Sequence, residues 1–418
     1  MMDLQAFRFL QTPVGERWLA ELAGADLSPQ THLAWASRLR QEVEPAWAQA
    51  LLETALLRRR AAAKFSRADH MFFTREALEQ ASAEVVARYR AGRYAAAGLT
   101  TVLDLCCGIG GDALALAAGG HVIGVDEDEV RLAMAAHNVA VYEGEGVFRG
   151  TCADVLALSP SLLAGRGQPR PRAIFFDPAR RDERGERVYH LAQYRPPVTA
   201  VLTQWRRAVP HMGVKVSPGL DYGEMPAQTE VEFISVDGEL REAVLWLGDL
   251  RQGADRRATL LPAGISLSSA PDEPPTAPLS APQTFLYEPD AAIIRAHLVT
   301  TLARQLEASQ IDPDIAYLTA PHHQPTPFAR AFRLEAAFPF QLKRLRHYLR
   351  QHDIGQVTIK KRGSPLQTEA LRQQLRLRGS RHRFIFLTHV IGEPTVLVGE
   401  PVAWKQSTEN SQLLVQDG

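Results

Sequence analysis

Residues 100–139 read TTVLDLCCGIGGDALALAAGGHVIGVDEDEVRLAMAAHNV. The apolar run Thr101 to Leu105, with Asp104 near its end, predicts a strand. Cys106 and Cys107 follow, then the loop Gly108-Ile109-Gly110-Gly111, then an alanine- and leucine-rich helix. A second apolar run, His121 to Val125, ends in Asp126 and leads into another helix. Strand, glycine loop, helix, strand and acid, in that order, make the first half of a nucleotide-binding α/β sheet. Glycines let a backbone pass close under a ligand where a side chain would block it. Asp126, at the tip of the second strand, is placed to hydrogen-bond two ribose hydroxyls. Cys106 and Glu127 flank the loop and that acid, and belong to the same candidate ligand site.

Two ligands fit. Gly108-x-Gly110-x-x-Ala113 matches the dinucleotide fingerprint, a weak signal when it stands alone. Asp104 points elsewhere. A buried acid just before the first glycine needs a cationic or hydrogen-bonding partner. S-adenosylmethionine (SAM) offers an ammonium there, whereas a pyrophosphate would be repelled. Asp104-x-x-x-Gly108-x-Gly110-Gly111, followed by hydrophobics and a strand-end acid about 20 residues on, resembles the SAM motif of class I methyltransferases.

Working outward, 418 residues suggest two or three domains. Hydrophobic content of 45% and charged content of 22% are those of an ordinary globular protein. The formal net charge is zero, so composition alone does not make the whole molecule a polyanion binder. No apolar run is long enough to span a membrane, and the N-terminus does not read as a signal peptide. Three cysteines without C-x-x-C spacing predict neither a disulfide framework nor a metal site and fit a reducing cytoplasm. No obligate protein partner is evident.

Residues 1–95 read as a helical region. The arginine-rich stretch from Leu56 to Lys64 reads as a solvated helix face. A helix after Ser82, its plausible N-cap, presents Val85, Val86 and Tyr89 as an apolar face, and residues 78–82 are placed either to cover the ligand or to brace the sheet. Val147-Phe148 begins a third strand, with Asp154 beyond it as an acceptor for an adenine amino group or as a helix cap. Ala173 to Phe176 is a fourth strand, ending in Asp177-Pro178-Ala179-Arg180-Arg181-Asp182. Gly213 to Val216, Val231 to Val236 and Ala243 to Leu247 complete the sheet.

Residues 71 to about 247 look like a class I SAM-dependent methyltransferase with a Rossmann-like seven-stranded sheet. The stretch from residue 81 to 142, with its acid, C-G-x-G-G loop, strand-end acid and A-x-x-N helix, is similar to RNA-cap guanine-N2 (trimethylguanosine synthase-like) methyltransferases. The whole chain, with DPARRD, KVSPG at 215–219 and LYEPD at 286–290, resembles a bacterial family carrying a C-terminal THUMP-like domain. That resemblance implies SAM as cofactor, held by Asp104, Cys106, Gly108, Gly110, Gly111, Asp126, Glu127 and Asp154. Methylases of exocyclic amines in this fold carry an acid, two prolines and an aromatic at the fourth strand, where the acid and a proline carbonyl accept the amine hydrogens. Here Asp177 and Pro178 are kept as the catalytic pair, while the second proline and the ring are replaced by Ala179 and Arg180. Arg180 and Arg181 either hold a phosphate or base or pair with Asp182 and Glu183.

Residues 251–284 read as a linker, proline- and serine-rich from 262 onward. Residues 285–402 read as a ferredoxin-like or THUMP-like α+β domain, followed by a tail over 403–418. Between Arg330 and Arg383, 14 lysines and arginines face three acids, a local excess of +11. Such asymmetry is the footprint of a polyanion site, and Lys360, Lys361 and Arg362 at a strand end are candidate phosphate grips. The expected function is a SAM-dependent methyltransferase of structured RNA such as tRNA or rRNA. The alternatives are methylation of a protein or small molecule, and a non-catalytic RNA-binding protein on a methyltransferase fold.

Overall fold

Residues 2–142, 146–160, 170–180, 188–273 and 275–402 are described by the computed structural model. Among them, six helices precede the first strand: α1 (Leu4–Leu10), α2 (Pro13–Ala23), α3 (His32–Leu39), α4 (Pro45–Ala61), α5 (Arg75–Gln80) and α6 (Glu84–Ala96). The sheet follows as β1 (Thr101–Leu105), the short α7 (Ala113–Leu116), β2 (His121–Asp126), α8 (Glu129–Val141), β3 (Val147–Cys152), β4 (Ala173–Phe176), α9 (Val198–Trp205), β5 (His211–Val216), β6 (Glu230–Val236) and β7 (Glu239–Leu247). These strands run in the order β3-β2-β1-β4-β5-β7-β6. β1 is central and parallel to both neighbours, with Asp104 opposite Gly124 of β2 and Phe175 of β4. β7 is antiparallel to β5 and lies inside the sheet between β5 and β6, with further strands beyond the expected seven. Order reverses between β1 and β4, which places the carboxyl ends of those strands at a crevice suited to a ligand. The helices before β1 cluster with this sheet in one compact unit.

Three expectations change. The buried face of α6 is Val86, Ala87, Arg90, Arg93 and Tyr94 rather than Val85, Val86 and Tyr89. Its arginines are buried because acids from distant strands meet them. Arg93 pairs with Glu230 at 2.7 Å and Glu232 at 3.1 Å, and Arg90 pairs with Asp112 and Glu242. Ser82 is not the cap of α6; Ala83 takes that position, and Glu84 instead binds the Ser66 amide at 2.7 Å. The arginines of α4 are not simply solvated. Arg58 donates to the Met71 carbonyl at 2.9 Å and Arg59 to that of Leu22 at 3.0 Å, and burial lowers the Arg58 guanidinium to about 10.

Residues 251–284 hold more order than a linker. β8 (Arg256–Leu261) and β9 (Ile265–Ser268) pair antiparallel around Gly264, whose positive φ of 68° suits glycine. The alternation in Ile265–Ser268 is a strand pattern that the neighbouring prolines obscured.

The second unit's sheet has seven strands: β10 (Phe285–Pro289), β11 (Ser309–Asp312), β12 (Ile315–Ala320), β13 (Ala329–Pro339), β14 (Ile354–Lys361), β15 (Arg381–Val390) and β16 (Glu393–Pro401), in the order β11-β12-β10-β13-β16-β15-β14. After β10 come two short helices, α10 (Ala291–Arg295) and α11 (Val299–Gln305), separated at His297 with φ of 54°. α12 (Leu342–Gln351) and α13 (Thr368–Leu375) lay Leu345, Leu349, Leu371 and Leu375 on Ile385, Val396 and Val398. The alternate residues Phe386 and Leu397 enter a separate cluster with Phe332 and Tyr317, as the period of two requires. No helix among the described residues is long and apolar enough to cross a membrane.

Candidate functional site

At the end of β1 the chain turns through three residues with positive φ: Cys106 at 60°, Gly108 at 53° and Gly110 at 79°. The turn is closed by the Gly110 amide on the Cys107 carbonyl at 2.9 Å, and the Cys107 amide bonds Val125 of β2 at 3.0 Å. A Cβ on Gly110 would stand 3.1 Å from Ala135 Cα of α8, so the loop packs onto that helix. A Cβ on Gly108 would meet nothing within 4 Å, so this glycine borders open space, where a ligand can approach the backbone. Asn138 of α8 ties the loop down. Its amide donates to the Ile109 carbonyl at 3.0 Å and the Phe72 carbonyl at 2.9 Å, and it accepts the Phe72 amide at 2.8 Å.

Asp126 is buried, and its carboxylate accepts the amides of Gly108 at 2.8 Å and Asp128 at 3.0 Å. Each oxygen keeps a lone pair for a further donor. Asp104 is 1% exposed, and its Oδ2 has no hydrogen-bond partner among the described residues. Burial pushes its carboxyl well above the usual range; Asp112 and Asp177 add to the shift and Arg90 opposes it. A buried acceptor left this way costs about 1–3 kcal/mol. It is the structural mark of a missing donor, and an ammonium group supplies one. Glu127 and Asp154 differ. Both side chains are exposed, and Asp154 accepts the Leu156 amide at 2.8 Å, a local turn bond of the capping kind.

On the other side of the crevice, the Asp177 amide bonds the Leu105 carbonyl at 3.3 Å. Its Oδ2 accepts from Lys215 Nζ at 2.6 Å. Among the described residues, Oδ1 makes no protein hydrogen bond, and the Asp177 side chain is 22% exposed. Lys215, on β5, is 2% exposed and also donates to Ser82 Oγ at 2.9 Å. Pro178 is buried and Arg180 half-buried. Arg181, Asp182 and Glu183 lie outside the described residues.

The segment between α5 and α6 stands over the loop. A Cβ on Gly111 would lie 3.4 Å from Ala81 Cβ and 3.8 Å from the Phe65 ring. Lys64 holds this segment by donating to the carbonyls of Leu78 at 2.7 Å and Ala81 at 3.0 Å, which satisfies the end of α5. Burial, with Lys215 and Arg241 nearby, lowers the Lys64 ammonium.

The structure thus gathers Asp104, Cys106, Gly108, Gly110, Gly111, Asp126, Asp177 and Pro178 at the carboxyl ends of β1, β2 and β4. Sequence reasoning gave no role to Lys215, Arg90, Asp112 or Lys64. One signal was present: Lys215 is a lone charge in an otherwise apolar strand, Met212 to Val216.

In the second unit the basic stretch divides. Lys360 pairs with Glu288 and lies 5.9 Å over the Phe332 ring, and Arg362 lies 5.1 Å over Tyr317. Lys361 donates to the Leu366 carbonyl at 3.2 Å. On α12, Lys343, Arg344 and Arg350 are exposed, and the helix holds no acid.

Three family models match the chain: a domain of unknown function over residues 3–61, RNA cap guanine-N2 methyltransferase over 99–175, and THUMP domain-like over 329–401. A crystal structure of a candidate methyltransferase from Porphyromonas gingivalis W83 superposes with a TM-score of 0.75 at 20% identity, covering 93% of this chain and 97% of that one; it shows the fold. Two Mycobacterium tuberculosis proteins, from strains CDC 1551 and H37Rv, are each 37% identical over 352 residues, 81% of this chain and 92% of theirs. Both are described as uncharacterized S-adenosylmethionine-dependent methyltransferases. The unpaired oxygen of Asp104, the open face of Gly108 and the lone pairs of Asp126 suit that cofactor's ammonium, backbone and ribose, and the chain belongs to the S-adenosylmethionine-dependent methyltransferases.

Proposed function

We propose that this methyltransferase modifies a base of a structured RNA, with Asp177 facing the accepting nitrogen. Bound SAM supplies a methyl group already activated on its sulfonium, so the protein's work is in-line positioning. The new N–C bond forms as the S–C bond breaks, sulfur keeps the electron pair, and the nitrogen gives up a proton. The observation that carries this reading is the Asp177–Lys215 pair: Lys215 fixes Oδ2 at 2.6 Å and leaves Oδ1 to accept that proton or orient the amine. Asp104, Cys106, Gly108, Gly110, Gly111 and Asp126 line the cofactor side, with Glu127 and Asp154 at its exposed margin. Pro178 supports the acceptor side, and Arg180 follows it as a candidate contact for the RNA.

RNA is favoured by the guanine-N2 and THUMP-like matches and by the local excess of +11 between Arg330 and Arg383. In this reading residues 1–250 form the methyltransferase with its helical cover, and residues 285–402 hold the RNA. Lys361, Arg362 and the exposed cations of α12 contact phosphate, with Lys360 partly neutralised by Glu288. The test uses tritiated SAM, the purified protein and total extract from a strain lacking it. Label lost to RNase and not to protease is the expected result; label lost to protease refutes the reading in favour of a protein substrate.

A further inference from the structure

Methylases of exocyclic amines in this fold stack the target base on an aromatic ring three residues after the strand-end acid. That place here is Arg180, which carries no ring. The chain returns to this spot: the Val188 amide bonds the Arg180 carbonyl at 3.0 Å, and Ala179 pairs with Arg195. The next residue is Tyr189. Tyr189 is 46% exposed, and among the described residues it is the one exposed large aromatic residue. A Cβ on Gly219 would stand 2.6 Å from the Tyr189 ring, so the ring leans on a backbone with no side chain in the way. Gly219 follows β5 by three residues, and β5 bears Lys215, the partner of Asp177.

The backbone on both sides is pinned. The Leu191 amide bonds Glu224 at 2.7 Å, His190 pairs with the same carboxylate, and the Ser217 amide bonds the Tyr194 hydroxyl at 2.8 Å. A rigidly mounted, solvent-facing ring, on a chain tied back to Arg180 three residues beyond the strand-end acid, is what base stacking requires. We infer that Tyr189 supplies the stacking ring that Arg180 does not, brought to that place by the returning chain. The target is therefore a planar base presented face-on to Tyr189 with its amine toward Asp177. This rests on the RNA reading above and adds the residue that selects the base.

The experiment measures initial methylation rates at limiting total RNA from a strain lacking the protein, for wild type, Tyr189→Phe, Tyr189→Leu and Tyr189→Ala, with SAM affinity as the control for folding. Tyr189→Ala and Tyr189→Leu should lose about ten- to a hundred-fold in kcat/KM, the size of one lost base–aromatic stack. Tyr189→Phe should stay within about twofold, and SAM affinity should not change in any of them. Wild-type rates in Tyr189→Ala, or in Tyr189→Leu, which keeps the bulk and loses the π face, overturn the ring's role alone. A wild-type protein that binds SAM and leaves RNA unlabelled overturns the RNA reading and this inference together.

Discussion

Replacing Asp104 by Asn should weaken SAM binding and stabilise the cofactor-free protein. Among the described residues Asp104 Oδ2 is buried without a partner, and the carboxyl is pushed well up, chiefly by burial and then by Asp112 and Asp177. An acid whose folded pKa lies above its unfolded value binds more protons when folded. Stability is then greatest below the unfolded value, near 4, and falls as pH rises from there toward the folded pKa. At neutral pH the cofactor-free protein therefore carries a penalty that Asn removes, and its melting temperature should rise by a few degrees. Binding of the cofactor ammonium favours the ionised carboxylate, so wild-type SAM affinity should increase with pH across the same interval. A charge-assisted hydrogen bond is worth about 1.5–3 kcal/mol, so Asp104→Asn should raise the Kd by roughly ten- to 150-fold and flatten that pH dependence. Calorimetric titration at several pH values, beside thermal melts without cofactor, measures both. A variant with unchanged SAM affinity, or one that melts lower without cofactor, refutes the reasoning.

Asp177→Asn should leave SAM affinity within about threefold of wild type and lower single-turnover methyl transfer by about a hundred-fold or more, the usual contribution of a positioned base. Arg90→Met strands Asp112 and Glu242 in the interior and should cost about 3–5 kcal/mol in urea unfolding; an unchanged midpoint would show that the pairs do not hold α6. Replacing Lys343, Arg344 and Arg350 by Gln should reduce the salt dependence of RNA binding by up to about 0.9 per lost phosphate contact. Lys360→Gln should change it less, because Lys360 already faces Glu288.

The glycine loop and its acids were legible because they are local. Asp104, Gly108, Gly110 and Asp126 lie within 23 residues, and a parallel sheet imposes apolar runs with acids at their carboxyl ends. Strands were harder to read where composition misled, as at Ile265–Ser268, whose alternation sits beside a proline-rich stretch. The arginines of α6 were invisible as core because an arginine is buried only when a partner is, and Glu230, Glu232 and Glu242 stand about 140–150 residues away.

Taken alone, the order of apolar runs, glycines and strand-end acids determined the methyltransferase sheet, the cofactor side of the crevice and the uneven charge of the second module, since each is written in contiguous residues. Tertiary structure decided the rest. It set Lys215 against Asp177 across two neighbouring strands, laid Ala81 and Phe65 over Gly111, neutralised Lys360 with Glu288, and tied the backbone before Tyr189 to Arg180. Charges and rings act through distance in space, and folding makes neighbours of residues that the chain keeps far apart.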